Sequence, residues 1–450
     1  MNIDKALLGV VLADIFFLST GLAGLDFGYA AEFATAGLAV VLALGGRRYL
    51  RSLFALFTEA KSAVPISMAV YLCADAVNFF VFGNLSLAWQ KYRVTAALML
   101  LFAALILLRH QKDLTRLVLL TVGLSAAAVS VFTLAYYFLP LKWPLYYTAR
   151  FSMRRDYNMY ATQLVTGLIA LAYGGLRGGK KARIALSMAL PVVLSLALLS
   201  GSRRVLILLP VVLAVLAASF VSESVRAGGR RGVWAGLGCV MLIALLTVAE
   251  TALMRHGLAR INAPGTPPRS LAQAPAAETE LTERYETIRG SSILEKRRVI
   301  WGVALGSLSK YSATELVFGR GGGENIILYD QITDPIDAIY PDRQARLGAL
   351  SAHNMLLADL LDGGVLKLAA LLCLMLASGV GCILIAVRHP FVGLPIGMIL
   401  AVCMVNSLVS NRFGLLYDRY FVLFAALAAV EYQAVKAQVS HSKIKGGSGR

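Results

Sequence analysis

The chain has 450 residues, of which 58% are hydrophobic and 15% are charged. Soluble domains are nearer half apolar and a quarter charged, so this composition excludes an ordinary soluble protein and indicates an integral membrane protein. The formal net charge of +18 does not require a nucleic acid partner, because membrane proteins collect Lys and Arg in their cytoplasmic loops.

Long apolar stretches recur from one end of the chain to the other. A helix needs about 20 mainly apolar residues to cross the bilayer, and this length predicts about twelve membrane-spanning helices. They cover residues 6–25, 29–45, 63–82, 94–109, 117–139, 158–176, 184–200, 205–221, 233–253, 354–387, 391–410 and 417–435. The sequence therefore predicts an all-α membrane protein. The partner of these helices is the lipid bilayer that surrounds them.

Basic residues predict the orientation of these helices. Positive charge is concentrated on the cytoplasmic side of membrane proteins, and alternate connections of this chain are basic. They contain Arg47, Arg48, Arg51 and Lys61; Arg109, Lys112 and Arg116; Arg177, Lys180, Lys181 and Arg183; Arg226, Arg230 and Arg231; and Arg388. Both termini are then cytoplasmic, with nine spans in residues 1–253, three in residues 353–435, and a basic cytoplasmic tail in residues 436–450.

Residues 254–352 form a large connection on the outer face. Its first part, residues 261–280, is rich in Pro, Ala and polar residues and is predicted to be mobile. Residues 294–308 have the apolar period of an amphipathic helix, and residues 318–331 contain a glycine-rich turn. A connection this long in a compact protein is more often functional than not.

Three groups of arginines lie on this outer face, where positive charge is disfavoured. The groups contain Arg150 and Arg154, with Arg155; Arg203 and Arg204; and Arg297 and Arg298, with Lys296. Some of these residues have a simpler interpretation as side chains that reach lipid headgroups. Arginine also binds phosphate oxygens in a bidentate manner and stays charged, so converging arginines predict a site for a phosphorylated lipid.

His353 ends the outer connection and directly precedes an apolar helix. A helix N-terminus and nearby arginines favour the neutral imidazole, which can accept a proton from a sugar hydroxyl as a general base. The alternative is a histidine that only caps the helix or hydrogen-bonds a loop carbonyl. The other histidines, His110, His256, His389 and His441, are weaker candidates by position.

Neither a metal nor a cofactor is expected. The five cysteines lie in apolar runs, with no CxxC or Cys/His cluster. A sugar carried on a diphosphate already has a good leaving group, and arginines can neutralise it in place of a divalent cation. Arginines and one base would therefore suffice for glycosyl transfer.

Several motifs resemble the O-antigen ligase and polymerase superfamily of bacterial inner-membrane glycosyltransferases. They are ARFSMRRDYNMYA, SGSRRVLI, RRVIWGVALGSL followed by LVFGRGGGEN, and AHNMLLADLLDGG. The last resembles the ligase pattern of His, then Asn, Ser or Gln, then nine residues, then Gly, at His353, Asn354 and Gly364. The resemblance extends from about Arg150 to Arg412.

This resemblance implies a fold, a reaction and a set of site residues. The fold would be that of a GT-C-like glycosyltransferase whose active site faces the periplasm. Arg203, Arg297 and His353 would be catalytic, with His353 as the base. Substrate would be bound by Arg150, Arg154, Arg204, Arg298 and Asn354. The donor would be an undecaprenyl-diphosphate-linked glycan, the acceptor lipid A-core oligosaccharide, and the transfer would invert the anomeric carbon.

Two kinds of alternative stay open. An O-antigen polymerase or a protein O-oligosaccharyltransferase would use the same chemistry with another acceptor. A transporter or flippase would have no catalysis, and it would be expected to carry charges at the membrane midplane. Asp14 and Asp75 are the acidic residues noted within predicted spans, and Asp75 could simply pair with a neighbouring helix.

Overall fold

Apolar runs punctuated by Gly, Pro and Asn produce a chain of helices. The computed structural model describes residues 3–20, 27–58, 63–138, 157–176, 180–261, 292–332, 350–410 and 413–447. About 90% of these residues are helical, and none of them belongs to a strand. An all-α fold is therefore confirmed for the described ranges.

The chain divides into two units, each of which is described by itself. The first contains residues Met1–Leu7, Leu38–Gln111 and Ser291–Arg450. Its helices include α3 (Ala63–Val81), α4 (Leu85–Leu107), α9 (Ser292–Leu308), α10 (Ala313–Phe318), α11 (Glu324–Gln331), α12 (Met355–Arg388), α13 (Pro390–Ser410) and α14 (Arg419–Gly447). Helix α12 packs against α3, α13 and α14, while α14 also packs against α4.

The second unit contains residues Leu8–Gly37 and Lys112–Gly290. Its helices are α5 (Leu114–Phe138), α6 (Tyr157–Leu176), α7 (Lys180–Leu199) and α8 (Arg203–Ile261), together with most of α1 (Ile3–Thr20) and the first part of α2 (Phe27–Thr58). Helix α6 packs against α5, α7 and α8. Residues 160–174 of α6 are buried because these three helices pack around it.

Eight helical segments of the described residues are long and apolar enough to cross a membrane. They are Ala63–Val81, Leu85–Leu107, Leu114–Ala135, Ile207–Arg226, Leu237–Met254, Met355–Arg388, Pro390–Val409 and Arg419–Gln438. The chain is thus a multi-pass membrane protein by composition and structure. The other four predicted spans also coincide with helices, in α1, α2, α6 and α7, but the total of twelve stays a prediction.

Helix α8 differs from the prediction. Residues 205–221 and 233–253 were expected to be separate spans joined by a basic cytoplasmic loop, whereas Arg203–Ile261 is one continuous helix of 59 residues. Residues 226–231 continue the helix although Gly228 and Gly229 are poor helix formers. Such a helix rises about 88 Å, roughly three times the hydrocarbon thickness. The predicted loop is therefore wrong here. Two placements depend on that reversal and stay predictions: residues 254–352 on the outer face, and the C-terminus in the cytoplasm.

Within the first unit, contacts join segments that were predicted to be cytoplasmic. Arg48 forms an ion pair with Asp4 at 3.0 Å, and the Tyr49 hydroxyl donates to the same carboxylate. His389 Nε2 lies 3.2 Å from Gln438 Oε1. The N-terminus thus adjoins the first basic cluster, and the α12–α13 turn adjoins the end of the last span.

Candidate active site

Helix α9 is held against the start of α12 by an apolar cluster in the first unit. Ile300 and Ala304 are buried in this cluster with Ala352. Val303 and Leu308 pack against it, so the predicted amphipathic face is confirmed. The Tyr329 hydroxyl on α11 donates to the Ile300 carbonyl at 2.8 Å, which fixes α9 against α11.

One hydrogen bond connects the arginine-bearing helix to the residue before His353. Trp301 Nε1 donates to the Ala352 carbonyl oxygen at 3.2 Å. Arg297 precedes Trp301 by one helical turn, so the two side chains share a face of α9. The fold therefore directs Arg297 toward the side of α9 that meets the His353 segment.

The two arginines of the doublet on α9 differ in burial. Arg297 is half-buried, whereas Arg298 is exposed. Burial raises the pKa of Tyr329, and the positive charge of Arg297 opposes this rise. Of the two arginines, Arg297 is thus the one whose charge acts on a buried residue of the first unit, Tyr329.

His353 has an unusual backbone conformation at the entrance to α12. Its φ is +48°, a left-handed value that is uncommon outside glycine but less so for Asn, Asp and His. Its backbone N–H donates to Ser351 Oγ at 3.3 Å, and its side chain is half-buried. Strained residues of this kind cluster at functional sites.

Asn354, and not His353, caps helix α12. Asn354 Oδ1 accepts hydrogen bonds from the backbone N–H groups of Leu356 at 2.9 Å and Leu357 at 3.3 Å. This cap occupies the carbonyl oxygen of the Asn354 side chain. The contact of Asn354 with substrate stays a prediction. The interpretation of His353 as the helix cap is therefore wrong. The other structural interpretation, a hydrogen bond to a loop carbonyl, stays open.

Gly364, the last residue of the ligase-like pattern, breaks helix α12. Its φ is +64°, and a Cβ there would lie 2.4 Å from the Val317 carbonyl oxygen. Helix α10 therefore packs directly on the backbone of the break. The break separates a short first segment, which begins beside His353, from the long second segment of α12.

The predicted glycine-rich turn lies against the same break. Gly319, Gly321 and Gly323 all have positive φ. The Gly321 N–H donates to the Asp362 carbonyl at 2.9 Å, and the Gly322 N–H donates to the Asn78 carbonyl at 3.1 Å. The turn thus connects α12 to α3 through backbone contacts that leave no room for side chains.

We expect Gly319→Ala to destabilise the protein and Gly302→Ala to stabilise it. A Cβ at Gly319 would lie 2.1 Å from the Asp362 carbonyl oxygen, and its φ is +75°, so strain alone should cost about 1–3 kcal/mol. A Cβ at Gly302 meets nothing within 4 Å, and alanine in a helix interior should add roughly 0.5–1 kcal/mol. Unfolding midpoints in detergent would measure both, and equal shifts in the same direction would contradict this packing.

The second unit brings two other motifs together. Ser202 Oγ donates to Asn158 Oδ1 at 2.9 Å, which joins the loop before α8 to the first turn of α6. Gly201, with a φ of +67°, forms the tight turn between α7 and α8. Asn158 was not among the predicted site residues, and its hydrogen bond to Ser202 joins it to the residue before Arg203.

The remaining predicted arginines belong to this second unit. Arg203 is the first residue of α8, and its side chain lies outside the described part of the structure. Arg204 is half-buried. Arg150 and Arg154 lie outside the described residues. Of the three predicted catalytic residues, Arg297 and His353 therefore share the first unit, and Arg203 belongs to the second.

A cluster of buried charged residues lies next to the glycine turn (residues 319–323) in the first unit. This charge cluster consists of Asp75 on α3, Lys91 on α4, and Asp359, Asp362 and Lys367 on α12. Lys91 Nζ is 2.6 Å from Asp75 Oδ2, and Lys367 Nζ is 2.7 Å from Asp75 Oδ1. The expectation that Asp75 pairs with a neighbouring helix is confirmed, although its partners were not foreseen.

The sequence did contain a signal for the charge cluster. Asp359 and Asp362 are three residues apart and therefore share a helical face, and charged residues inside apolar spans are rare and often functional. Both aspartates lie within the predicted span 354–387, but they were not singled out as charges inside a span. Lys91 was overlooked because the predicted span began at residue 94, whereas α4 begins at Leu85.

No family model matches the chain, and no curated protein matches it either.

Proposed function

We propose that the chain is an O-antigen ligase. It would transfer O-antigen polysaccharide from undecaprenyl diphosphate to lipid A-core oligosaccharide, at the periplasmic face of the bacterial inner membrane. The motif resemblance supplies the substrates, and the multi-pass helical fold is consistent with lipid-linked donor and acceptor.

The observation that carries this proposal is the hydrogen bond from Trp301 to Ala352. At 3.2 Å, it joins the helix with Arg297 to the residue before His353. A phosphate-binding cation and a candidate base are thus presented by neighbouring elements of one unit, although these residues are 56 positions apart in the sequence. Close positioning of a base and an electrostatic clamp is what glycosyl transfer requires.

The proposed reaction is a single displacement. His353 accepts the proton of an acceptor sugar hydroxyl as that oxygen bonds to the anomeric carbon of the donor. The bond from this carbon to the diphosphate oxygen breaks, and undecaprenyl diphosphate leaves with the electron pair. Arg297 would stabilise the negative charge that develops on the diphosphate. The catalytic role that the resemblance implies for Arg203 stays a prediction.

The adjacent arginines of α9 provide a matched pair for a test. We expect Arg297→Ala to reduce transfer by about 10²–10³-fold, as removal of a charge-stabilising donor does in other enzymes. Arg298→Ala should retain most activity because its side chain is exposed, whereas that of Arg297 is half-buried. This result would revise the expectation from the resemblance that Arg298 binds substrate. Initial rates of transfer at saturating acceptor would be compared, and a larger loss from Arg298→Ala would contradict the assignment.

The acceptor is tested with wild-type protein in proteoliposomes. Lipid-linked glycan would be supplied with and without lipid A-core, in the presence of EDTA. Glycan attached to lipid A-core supports the ligase. Lengthening of the lipid-linked glycan instead indicates the polymerase, and activity that EDTA abolishes contradicts a metal-independent mechanism.

Transport is the second candidate, because the charge cluster supports it. Buried ionisable residues within a membrane bundle are typical of ion and proton pathways. A transporter would move lipid-linked glycan or another solute across proteoliposomes without forming a new glycosidic bond. Translocation that persists in His353→Asn, with no glycosyl transfer by the wild type, would favour this candidate over the ligase.

A further inference from the structure

Three consecutive apolar side chains of α10 are exposed in the first unit. Leu316, Val317 and Phe318 each expose between 40% and 53% of their surface, and α10 has no buried residue. A run of exposed apolar residues is avoided on a surface that faces water unless it binds something. Helix α10 nevertheless belongs to residues 254–352, which were predicted to lie outside the membrane. We call Leu316–Phe318 the apolar segment.

The apolar segment is held in place by backbone contacts. A Cβ at Gly364 would overlap the Val317 carbonyl, so the backbone of α10 lies directly on the break of α12. Immediately after the segment, the Arg320 N–H donates to the Leu361 carbonyl of α12 at 3.2 Å. These contacts use main-chain atoms alone, so they fix the segment and leave its three side chains facing outward.

The end of α3 gives the level of the apolar segment relative to a bilayer. Helix α3 (Ala63–Val81) is apolar enough to cross a membrane, and its 19 residues rise about 28 Å. The hydrocarbon core is about 30 Å thick, so the end of α3 reaches one of its boundaries. The glycine turn touches this end, because a Cβ at Gly321 would overlap the Phe82 carbonyl. The apolar segment ends immediately before this turn and therefore lies at the level of the boundary.

The start of α4 indicates the same level. Phe82 and Leu85, on either side of the turn between α3 and α4, are exposed, and so is Trp89 one helical turn later. Tryptophan is enriched where a membrane meets water. An exposed tryptophan in the first turns of a span is typical of such a boundary, which agrees with the level given by the length of α3.

The exposed apolar surface of α12 continues onto the apolar segment. Val365 and Leu366, which follow the break directly, are exposed and belong to the span Met355–Arg388. Exposed apolar side chains of a membrane span face lipid. Helix α10 packs against α12, and the Val317 carbonyl lies against Gly364, the residue before Val365. The surface of α12 that faces lipid is therefore continuous with the surface of α10.

The charged residue of α10 is paired, which suits a membrane surface. Glu315 lies 2.9 Å from Arg320 Nε and accepts from the Ser312 N–H at 2.7 Å. Cζ of Arg320 is 4.2 Å from the centre of the Tyr311 ring. A charge that is paired and hydrogen-bonded costs less to bring toward lipid than a free charge. Helix α10 thus combines satisfied polar groups with apolar side chains, as helices at the lipid headgroup level do.

We propose that the apolar segment inserts into the acyl chains of the bilayer beside α12 and anchors α10 at the membrane surface. Phospholipid is the occupant of this surface, because the surface is continuous with a membrane span and lies at the level of its boundary. The break in α12 is then fixed at that boundary. The nine residues Met355–Gly363 rise about 14 Å, which sets how far the start of α12 can stand from the lipid. The anchor does not depend on the proposed glycosyl transfer.

Photocrosslinking in a bilayer tests the occupant directly. The photoreactive analogue p-benzoylphenylalanine would replace Phe318 or, as a matched control, Gln331. Gln331 is exposed at the end of α11, beyond Tyr329, which packs in the cluster with Ala352 before the start of α12. Both proteins would be irradiated in phosphatidylcholine liposomes and the products identified by mass spectrometry. We expect lipid adducts from position 318 and about tenfold fewer from position 331, because an interfacial helix buries only its apolar face in lipid.

The other possible products would overturn the proposal. An adduct between position 318 and a second copy of the chain would make this surface an interface between copies. An adduct with another peptide of the same chain would show that part of the chain covers the apolar segment. Equal yields of lipid adduct from positions 318 and 331 would show that α10 lies no deeper than the end of α11, which also contradicts insertion.

A lipid-soluble photoreagent tests the wild-type chain, so that no replacement has to be tolerated. A diazirine that partitions into the liposomes should label Leu316–Phe318 to an extent similar to Val365 and Leu366, which face lipid on α12. It should label Gln331 far less. Label on Val365 and Leu366 without label on Leu316–Phe318 would overturn the proposal.

Discussion

Replacing His353 with asparagine should reduce glycosyl transfer by about 10²–10⁴-fold, the contribution typical of a general base. Asparagine tolerates the left-handed backbone that His353 adopts, with its φ of +48°. It can form hydrogen bonds but cannot accept a proton at neutral pH. The loss should appear in the maximal rate, measured at saturating donor and acceptor, with little change in the unfolding midpoint.

Two further variants separate the chemistry of His353 from its backbone. His353→Gly also accommodates a positive φ, so it should lose as much activity as His353→Asn. His110→Ala is a control for general effects of removing histidine, because His110 is exposed in a turn and should transfer normally. Wild-type rates in His353→Asn would mean that His353 serves the fold and not the reaction.

The helices of this protein follow directly from its sequence, because apolar length and helix-breaking residues are local properties. The amphipathic face of Ser292–Leu308 was predicted from its period, and Ile300 and Ala304 are indeed buried. The glycine turn at residues 319–323 was likewise visible. Local patterns do not show whether a basic stretch reverses the chain, which is why the predicted loop within Arg203–Ile261 was wrong.

The candidate site was only partly predictable. His353 is conspicuous as a lone histidine at a helix start, but the sequence could not show that Asn354 provides the cap. Nor could it choose between Arg297 and Arg298, because the choice depends on which side of α9 meets Ala352. That side is set by the contact with Trp301, 51 residues away along the chain.

The charge cluster was less accessible still to sequence reasoning. Its contacts join Asp75 to Lys367 across 292 positions of the sequence. Each charge taken alone resembles an unfavourable residue at the edge of a span. Their compensation becomes apparent only when α3, α4 and α12 are packed together.

Replacing Lys367 with methionine should destabilise the protein by about 3–5 kcal/mol at pH 7, the usual cost of removing one partner from a buried ion pair. Methionine has a similar length, so the loss of volume is small. Lys367 Nζ contacts Asp75 and Asp359 at 2.7 Å and 3.1 Å. Without it, three buried carboxylates would face the single ammonium group of Lys91.

The same variant should recover part of its stability as the pH falls. Removal of Lys367 raises the affinity of the folded carboxylates for protons above that of the unfolded chain. Folding then takes up protons, and stability increases toward acidic pH, down to the unfolded aspartate pKa of about 3.9. A loss of stability that depends on pH distinguishes an electrostatic effect from simple loss of packing, which would not change with pH.

Lys310→Met is the matched control, because Lys310 is exposed at the end of α9 and its replacement should change stability by less than about 0.5 kcal/mol. Unfolding of both variants would be measured from pH 5 to 8 in the same detergent. If Lys367→Met were as stable as Lys310→Met at every pH, the ammonium group would not compensate the buried carboxylates. If its loss were large but independent of pH, the aliphatic chain of Lys367 would matter more than its charge.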